Sequence, residues 1–239
     1  IRNHTNGACL IVTAVLFVLW AYFSSRGYIH YDSDLYHGQS IRWIEEYGVV
    51  PGLGNLHNRL AYNSASFALS ALFSMKFLFG TSMHSMSGFF AFLLSVSCID
   101  VYRNVKRKKL HVSDYLRCAS VYYLFTLTEE VVSPASDYFI MLVVFYIVIR
   151  WVTLLEEKEE SFVPYAWLCV CGVFAVTLKL TAGLVLLLTL KPLVRMIKEK
   201  KWIITFSNGY CGCDIEEEFE GTYDDAVEFA NEYLPDYAE

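Results

Sequence analysis

The stretch Tyr31–His37 reads YDSDLYH and places two carboxylates, two phenols and an imidazole within seven residues. A carboxylate beside an acceptor hydroxyl can take its proton as that oxygen attacks an electrophilic carbon. Asp32 is the first choice for such a base and Asp34 the second. In extended chain alternate residues face nearly the same way, so geometry alone does not choose between them. Tyr36 follows Asp32 by four residues. Near the start of a helix that is about one turn, which brings the phenol towards the carboxylate. The plain alternative is a solvated loop entering an amphipathic helix. Arg59 and Lys179 are cations able to neutralise a departing phosphate. Asp137 can hold a cation, position Lys179 or end a helix. His37 and His57 read first as loop hydrogen-bonders or acceptor-site residues, and second as metal ligands.

The elements that must position these groups are apolar. The chain has 239 residues, 55% of them hydrophobic, against roughly 45–50% in an ordinary soluble domain. The excess lies in long runs, which marks an integral membrane protein. Arg2 and Arg26 bracket a run free of Asp, Glu, Lys and Arg that is long enough to span a bilayer. Its aromatic end, Trp20 to Phe23, suits a membrane interface better than a signal-peptide cleavage site. Gln39–Tyr47 reads as a short amphipathic helix with Ile41, Trp43 and Ile44 inward and Arg42, Glu45 and Glu46 outward, stopped by Gly48. Ala61–Phe79 carries Ser66, Ser70 and Ser74 on one stripe, a pattern that packs against another helix.

Met86–Tyr102 reads as a span leading into Arg103, Lys106, Arg107, Lys108 and Lys109. That basic window marks the cytoplasmic side. The parity then has the first span leaving, Met86–Tyr102 returning, Asp114–Thr128 leaving and Tyr138–Leu155 returning. Ala61–Phe79 lies along the outer interface or re-enters. Phe162–Leu190 forms a hairpin of two arms of roughly 14 residues, short of the ~20 a perpendicular helix needs, with Lys179 at its apex. A lone Lys in such a segment is either functional or snorkels to the interface. The fold class expected is an all-α polytopic membrane protein of about six transmembrane segments with a small C-terminal αβ appendage. On this parity Asp32, Asp34, His37, His57, Arg59, Asp137 and Lys179 all face outward.

Charge divides the chain. Residues 1–201 carry 19 basic and 14 acidic groups, whereas 202–239 carry 11 acidic groups and no Lys or Arg. We therefore expect a membrane domain over 1–201, with an outer loop at 24–85, and a separate acidic tail over 202–239. In the tail Trp202–Phe206 reads as a strand, Ser207 to Gly209 as a turn and Thr222–Tyr233 as a helix with a Thr cap. Cys211, Cys213 and Asp214 give a weak metal signal. The other five cysteines lie in apolar runs, and no disulfide framework is visible. No Gly-rich phosphate loop, H-E-x-x-H, nucleophile elbow or internal repeat occurs, and the basic clusters read as topology signals rather than a nucleic-acid surface.

With the segments in that order, YDSDLYHGQSIRWIEEYG resembles the first outer loop of the GT-C superfamily, the polytopic glycosyltransferases that use polyprenyl-phosphate sugars. The matching pattern is D-[E]-x-x-Y followed by an amphipathic helix ending in Gly, with Ser33 in place of the second acid. The resemblance continues through ALFSMKFLFG, KRKK, S-P-x-x-D at Ser133–Asp137 and LKLTAG at Leu178–Gly183. A closer resemblance is to bacterial multi-pass proteins with Y-D-x-x-L-Y-H, W-I-E-E-Y and P-G-L-G-N-L-H-x-R-L-x-x-N-S, over about Tyr31 to Lys191. The closer resemblance bears on the fold more than on the substrate; the GT-C resemblance implies an enzyme of the bacterial cytoplasmic membrane with Asp32, and secondarily Asp34, in catalysis. Tyr36, His37, His57, Arg59, Asp137 and Lys179 would then bind substrate. The implied partners are the lipid bilayer and a polyprenyl-phosphate sugar donor, with a divalent cation as the candidate cofactor and no resident metal site. Ile1 is not an initiator Met and such enzymes have more spans, so the chain reads as a fragment, with or without activity, joined to a tail of different origin. The rival readings are a transporter or flippase component, whose charges would be spread through the membrane depth, and a non-catalytic membrane protein.

Overall fold

The computed structural model describes residues 7–26, 31–159, 161–189, 200–206, 215–221 and 223–237. They fall into two compact units, Ile1–Leu186 and Leu187–Glu239.

The first unit is helical. Its long members are α1 (Gly7–Ser25), α5 (Met86–Ser97), which runs through a turn into α6 (Asp100–Lys106), α7 (Val112–Thr126), α8 (Ser136–Glu156) and α9 (Phe162–Leu178). Shorter pieces between α1 and α5 are α2 (Gly38–Tyr47), α3 (Ala65–Leu72) and α4 (Lys76–Phe79). Among the described residues three helices are long and apolar enough to cross a membrane: Gly7–Ser25, Met86–Lys106 and Ser136–Glu156. Ala65–Phe79 and Phe162–Leu178 are apolar but shorter. On α1 only Trp20 is buried, while Leu10, Ile11, Val15, Phe17 and Val18 are exposed. Such an apolar surface is what a lipid-facing helix presents.

The long helices alternate in direction, and specific contacts establish it. The Arg103 guanidinium at the end of α6 donates to Cys9 Sγ at the start of α1, so the two run antiparallel. Ser87, opening α5, donates to the carbonyl of Ser133 just before α8, so these begin together. Arg117 in the first turns of α7 donates to Thr153 in the last turns of α8. Lys179, ending α9, pairs with Asp137 in the first turn of α8. The bundle therefore has one end bearing Ser24, Met86, Thr126, Asp137 and Lys179, and another bearing Cys9, Lys106, Val112 and Glu156. The order of reversal is the one read from the basic window.

Between the ends runs a core of Trp20, Ala91, Leu94, Leu124, Val131, Tyr138 and Leu142. Trp20 fills its centre and donates its indole N–H to Ser95 at 2.9 Å, so its polar atom is satisfied. At Gly88 the start of α5 meets the end of α1 so closely that a Cβ would collide with the Ser24 hydroxyl and lie 3.3 Å from Val131 Cγ1. Small residues of this kind let helix backbones approach.

The serine stripe of Ala61–Phe79 is buried at Ser66, Ser70 and Ser74, and α3 packs on α2, α8 and α9. The segment forms two helices, with Met75 in a left-handed conformation between α3 and α4. The expected hairpin also differs. Its first arm is the 17-residue α9, and beyond Lys179 the chain takes tight 3₁₀ turns over Leu180–Thr189. Part of the expected second arm, from residue 190 on, lies outside the described residues.

The second unit contains an antiparallel pair, β1 (Lys200–Phe206) and β2 (Ile215–Gly221), with Trp202 opposite Phe219 and Ile204 opposite Glu217. The helix α10 (Tyr223–Tyr237) packs on both strands. Trp202 stacks edge-on to Tyr223, and Phe219 meets Phe229. Strand β2, IEEEFEG, was missed in sequence because four of its seven residues are Glu. The turn at 207–209, the Thr222 cap, and Cys211, Cys213 and Asp214 lie outside the described residues.

Candidate functional site

The stretch around Asp32 is helical rather than extended. Asp32 already has helical dihedrals, and the N–H of Gly38 reaches five residues back to the carbonyl of Ser33, a π-helical turn. Such wide turns recur at functional sites. A Cβ on Gly38 would approach the Ser33 oxygen at 3.1 Å, tighter than ordinary packing. The turn then continues into α2, which ends at Gly48 as its N–H returns to the Ile44 carbonyl.

This geometry distinguishes the two candidate carboxylates, of which the spacing to Tyr36 put Asp32 first. Asp32 Oδ1 accepts from Arg59 Nη1 at 2.8 Å across 27 residues of chain. Asp34 is exposed, and no ion pair to it is found among the described residues. The Arg59 guanidinium also lies 5.4 Å above the Tyr36 ring, a cation–π distance. Asp32, Arg59 and Tyr36 thus form one group, backed by Tyr62 at 5.8 Å and Phe67 at 6.5 Å from the Tyr36 ring. Burial pushes the Tyr36 phenol above its ordinary range, Asp32 adds to that, and Arg59 opposes it. Tyr36 therefore stays protonated near neutral pH.

His57 acts through Arg59. Its Nδ1 accepts from the Arg59 N–H at 3.3 Å and caps the short turn Asn58–Ala61 that carries the arginine. His37 is buried, 4.1 Å from the Tyr36 ring centre and 5.4 Å from that of Phe67. Its ring forms part of the aromatic wall. No three His, Cys, Asp or Glu side chains converge as a metal-binding set among the described residues.

Two hydrogen bonds tie this group to the bundle. Ser33 Oγ meets Ser133 Oγ at 2.9 Å, four residues before Asp137. Ser64 Oγ donates to the carbonyl of Leu178 at 2.7 Å, one of the carbonyls that a helix end leaves unpaired. The Asp137–Lys179 ion pair follows directly on both contacts. Asp32, Arg59, Tyr36, Asp137 and Lys179 therefore belong to the same end of the bundle. Both ion pairs are partly open, with the Asp32 and Arg59 side chains 35% and 40% exposed.

Sequence reasoning missed a second polar group. Glu45 reads as an outward member of α2, yet its side chain is only 4% exposed. It accepts from Ser82 at 2.6 Å, and Lys76 lies near both it and Glu46. Local periodicity gives no signal for partners more than 30 positions away.

The fold and site define a mostly helical protein, with helices apolar enough to cross a membrane and an open ionic and aromatic cluster at one end of its bundle. Residues 2–212 match the family described as Domain of unknown function (DUF8201), and the chain belongs to that family. No curated protein and no solved structure matches it.

Proposed function

We propose that this chain is a membrane-embedded, glycosyltransferase-like protein of GT-C type. It would be a multi-pass protein of the bacterial cytoplasmic membrane with about six membrane segments. In this reading Asp32 takes the proton of an acceptor hydroxyl. The acceptor oxygen bonds to the anomeric carbon of the donor sugar, and the bond from that carbon to the polyprenyl phosphate breaks. Arg59 has five N–H donors, so it can hold Asp32 and meet the departing phosphate as well. Tyr36 donates a hydrogen bond beside it. Lys179, oriented by Asp137, supplies a second positive charge.

The observation that supports this reading is the convergence of Asp32 and Arg59 at 2.8 Å. Transport is less favoured. Among the described residues the ion pairs lie towards the ends of the long helices or in the segments beside them: Asp32–Arg59 and Asp137–Lys179 at one end, Asp114–Arg117 and Arg103–Asp100 at the other.

The test is transfer of radiolabelled sugar from short-chain polyprenyl-phosphate hexoses and pentoses, using the natural full-length protein in vesicles. The wild type should transfer one of them. Asp32→Asn should lose about 10²–10⁴-fold, the usual contribution of a general base, and Asp34→Asn much less. The reverse order of losses, or no transfer by correctly inserted wild type, would overturn the proposal.

A further inference from the structure

The end of the bundle opposite Asp32 carries a positive surface. Lys106, Arg107, Lys108 and Lys109, between α6 and α7, are all exposed, as is Lys158 just after α8. None of the five makes an ion pair or a side-chain hydrogen bond among the described residues. The carboxylates described at this end are engaged elsewhere: Asp100 with Arg103, Asp114 with Arg117, Glu157 with Arg150, and Glu156 and Glu159 on the backbone N–H groups of Ser113 and Ser161. The turn that bears four of the cations is braced. The N–H groups of Arg107, Lys108 and Lys109 return to the carbonyls of Arg103, Val105 and Asn104 at 3.0 Å, and Asn104 Nδ2 holds both Asp114 oxygens at 3.1 Å. Lys108 and Lys158 each follow a helix C-cap directly in a left-handed conformation, with φ of 54° and 49°. Glycine is the usual occupant of that position, and a lysine there brings a charge that glycine would not.

Depth and surroundings say which partner fits. Met86–Lys106 and Ser136–Glu156 are apolar helices of 21 residues each, and both end here. At 1.5 Å per residue each is about 30 Å long, the hydrocarbon thickness of a bilayer. A helix that fills the hydrocarbon lays the residues that close and follow it at the level of the lipid phosphates. Those residues are Lys106–Lys109 after one helix and Lys158 after the other. The cations are also interleaved with exposed apolar side chains, Tyr102, Val105, Leu110 and Val112. That mixture suits the boundary between headgroups and acyl chains, where apolar groups enter the lipid and charges stay with the phosphates. A nucleic acid or an acidic protein would meet the charges but leave the apolar side chains unmatched. We propose that this end of the bundle is a docking surface for anionic phospholipid headgroups, with Lys106, Arg107, Lys108, Lys109 and Lys158 on their phosphates. The inference rests on the reading of the long helices as membrane spans and not on the transfer chemistry proposed above.

The experiment uses the full chain in phosphatidylcholine nanodiscs, in a background without the native cysteines. A fluorophore on Leu110→Cys reports on this end, and one on Leu127→Cys on the other. Each is quenched with nitroxide-labelled phosphatidylglycerol or nitroxide-labelled phosphatidylcholine. At Leu110→Cys phosphatidylglycerol should be favoured by about fivefold or more, the effect of even one Lys or Arg near an anionic surface. At Leu127→Cys the two lipids should quench alike. Raising the salt from about 0.1 M to about 1 M shortens the screening length from about 10 Å to about 3 Å, and should bring the preference at Leu110→Cys close to one without altering the protein. Lys108→Gly with Lys158→Gly, which suits both left-handed turns, should lower the preference while far-UV circular dichroism is unchanged. Inorganic phosphate or a single-stranded oligonucleotide, added at constant ionic strength, should leave the quenching as it is. Quenching of neither probe by either lipid would remove the membrane reading and this proposal with it. Quenching of both probes with no preference at Leu110→Cys would overturn this proposal alone. So would a preference that survives high salt and the lysine changes, or one abolished by phosphate or by the oligonucleotide.

Discussion

Asp114–Arg117 and Asp32–Arg59 are the same pair of chemical groups in opposite settings. At the basic end of the bundle, the Asp114 and Arg117 side chains are 2% and 7% exposed. Asp114 also accepts from Asn104 Nδ2 at 3.1 Å and from the His111 N–H at 3.0 Å. Arg117 adds donations to Ser113 at 3.0 Å and Thr153 at 2.9 Å. Nearby, Glu156 of α8 accepts from the Ser113 N–H. This pair is consumed in fastening α7 to α6 and α8. At the opposite end, Asp32 and Arg59 meet with over a third of each side chain exposed and with an aromatic wall on one side. A buried pair closed off from the surface offers a substrate nothing, even with the Arg117 Nε–H left without a partner among the described residues. An open pair offers its spare donors. The difference teaches that charge in an apolar chain must be read by its setting: the first pair fastens helices to one another, and the second stands open at the end of the bundle.

The comparison breaks most visibly at the buried pair. Asp114→Ala strands a buried guanidinium, and removing one partner of such a pair costs about 3–5 kcal/mol. The variant should melt far lower than wild type, or fail to accumulate, in thermal unfolding followed by circular dichroism. Asp32→Ala should cost less than about 1 kcal/mol in the same assay, since exposed pairs contribute little. Comparable losses from the two would erase the distinction.

A smaller effect belongs to the contacts that join the open pair to the bundle. Ser133→Ala removes the hydroxyl that meets Ser33 Oγ and accepts from the Ala135 N–H. At about 0.5–1.5 kcal/mol per hydrogen bond, the expected loss is modest in melting. It should appear as faster amide hydrogen exchange around Ser33 rather than around Arg117. Exchange that quickens at both ends would show them to be one cooperative unit.

The smallest effect is a pH slope. Burial pushes the His84 imidazole below its ordinary range, and Glu45 opposes the shift. The unfolded chain therefore takes up this proton first, from about pH 6.5 downward. Stability conferred by neutral His84 is present above that pH. It falls as the pH drops towards the folded-state pKa and falls no further below it. His84→Phe should flatten the melting temperature between pH 7 and pH 5 relative to wild type. Parallel curves for the two proteins would refute it.

Sidedness sharpens the same comparison. Single cysteines at Asp34 and Lys109, in a background without the native cysteines, should react oppositely with an impermeant maleimide on intact cells. Asp34→Cys should label and Lys109→Cys should not, because Lys109 lies in the basic window that resists translocation.

Much of this arrangement was legible in the chain. Local periodicity and its stop signal gave α2 and Gly48, and the serine stripe gave the buried face of α3. The basic window gave the alternation of the long helices. The spacing of Asp32 and Tyr36, with Arg59 downstream, named the members of the open site. What escaped depends on partners distant in sequence. The Tyr31–His37 stretch is helical because its π turn is closed by Gly38 and held through Ser33 to Ser133. Glu45 is buried by Ser82 and Lys76. Strand β2 exists because WIITF offers it a hydrogen-bonding edge, which its own glutamates do not advertise. The packing of His37 against Phe67 cannot be seen in a seven-residue window.

The most direct measurement of the central claim pairs two readouts on two variants of the full-length protein in vesicles: sugar transfer from a polyprenyl-phosphate donor, and melting temperature. Asp32→Asn should lose about 10²–10⁴-fold in transfer with its melting temperature essentially that of wild type. Asp114→Asn should lose melting temperature, with the transfer per folded molecule retained. Full transfer by Asp32→Asn, or a loss that merely tracks its loss of folded protein, would contradict the account.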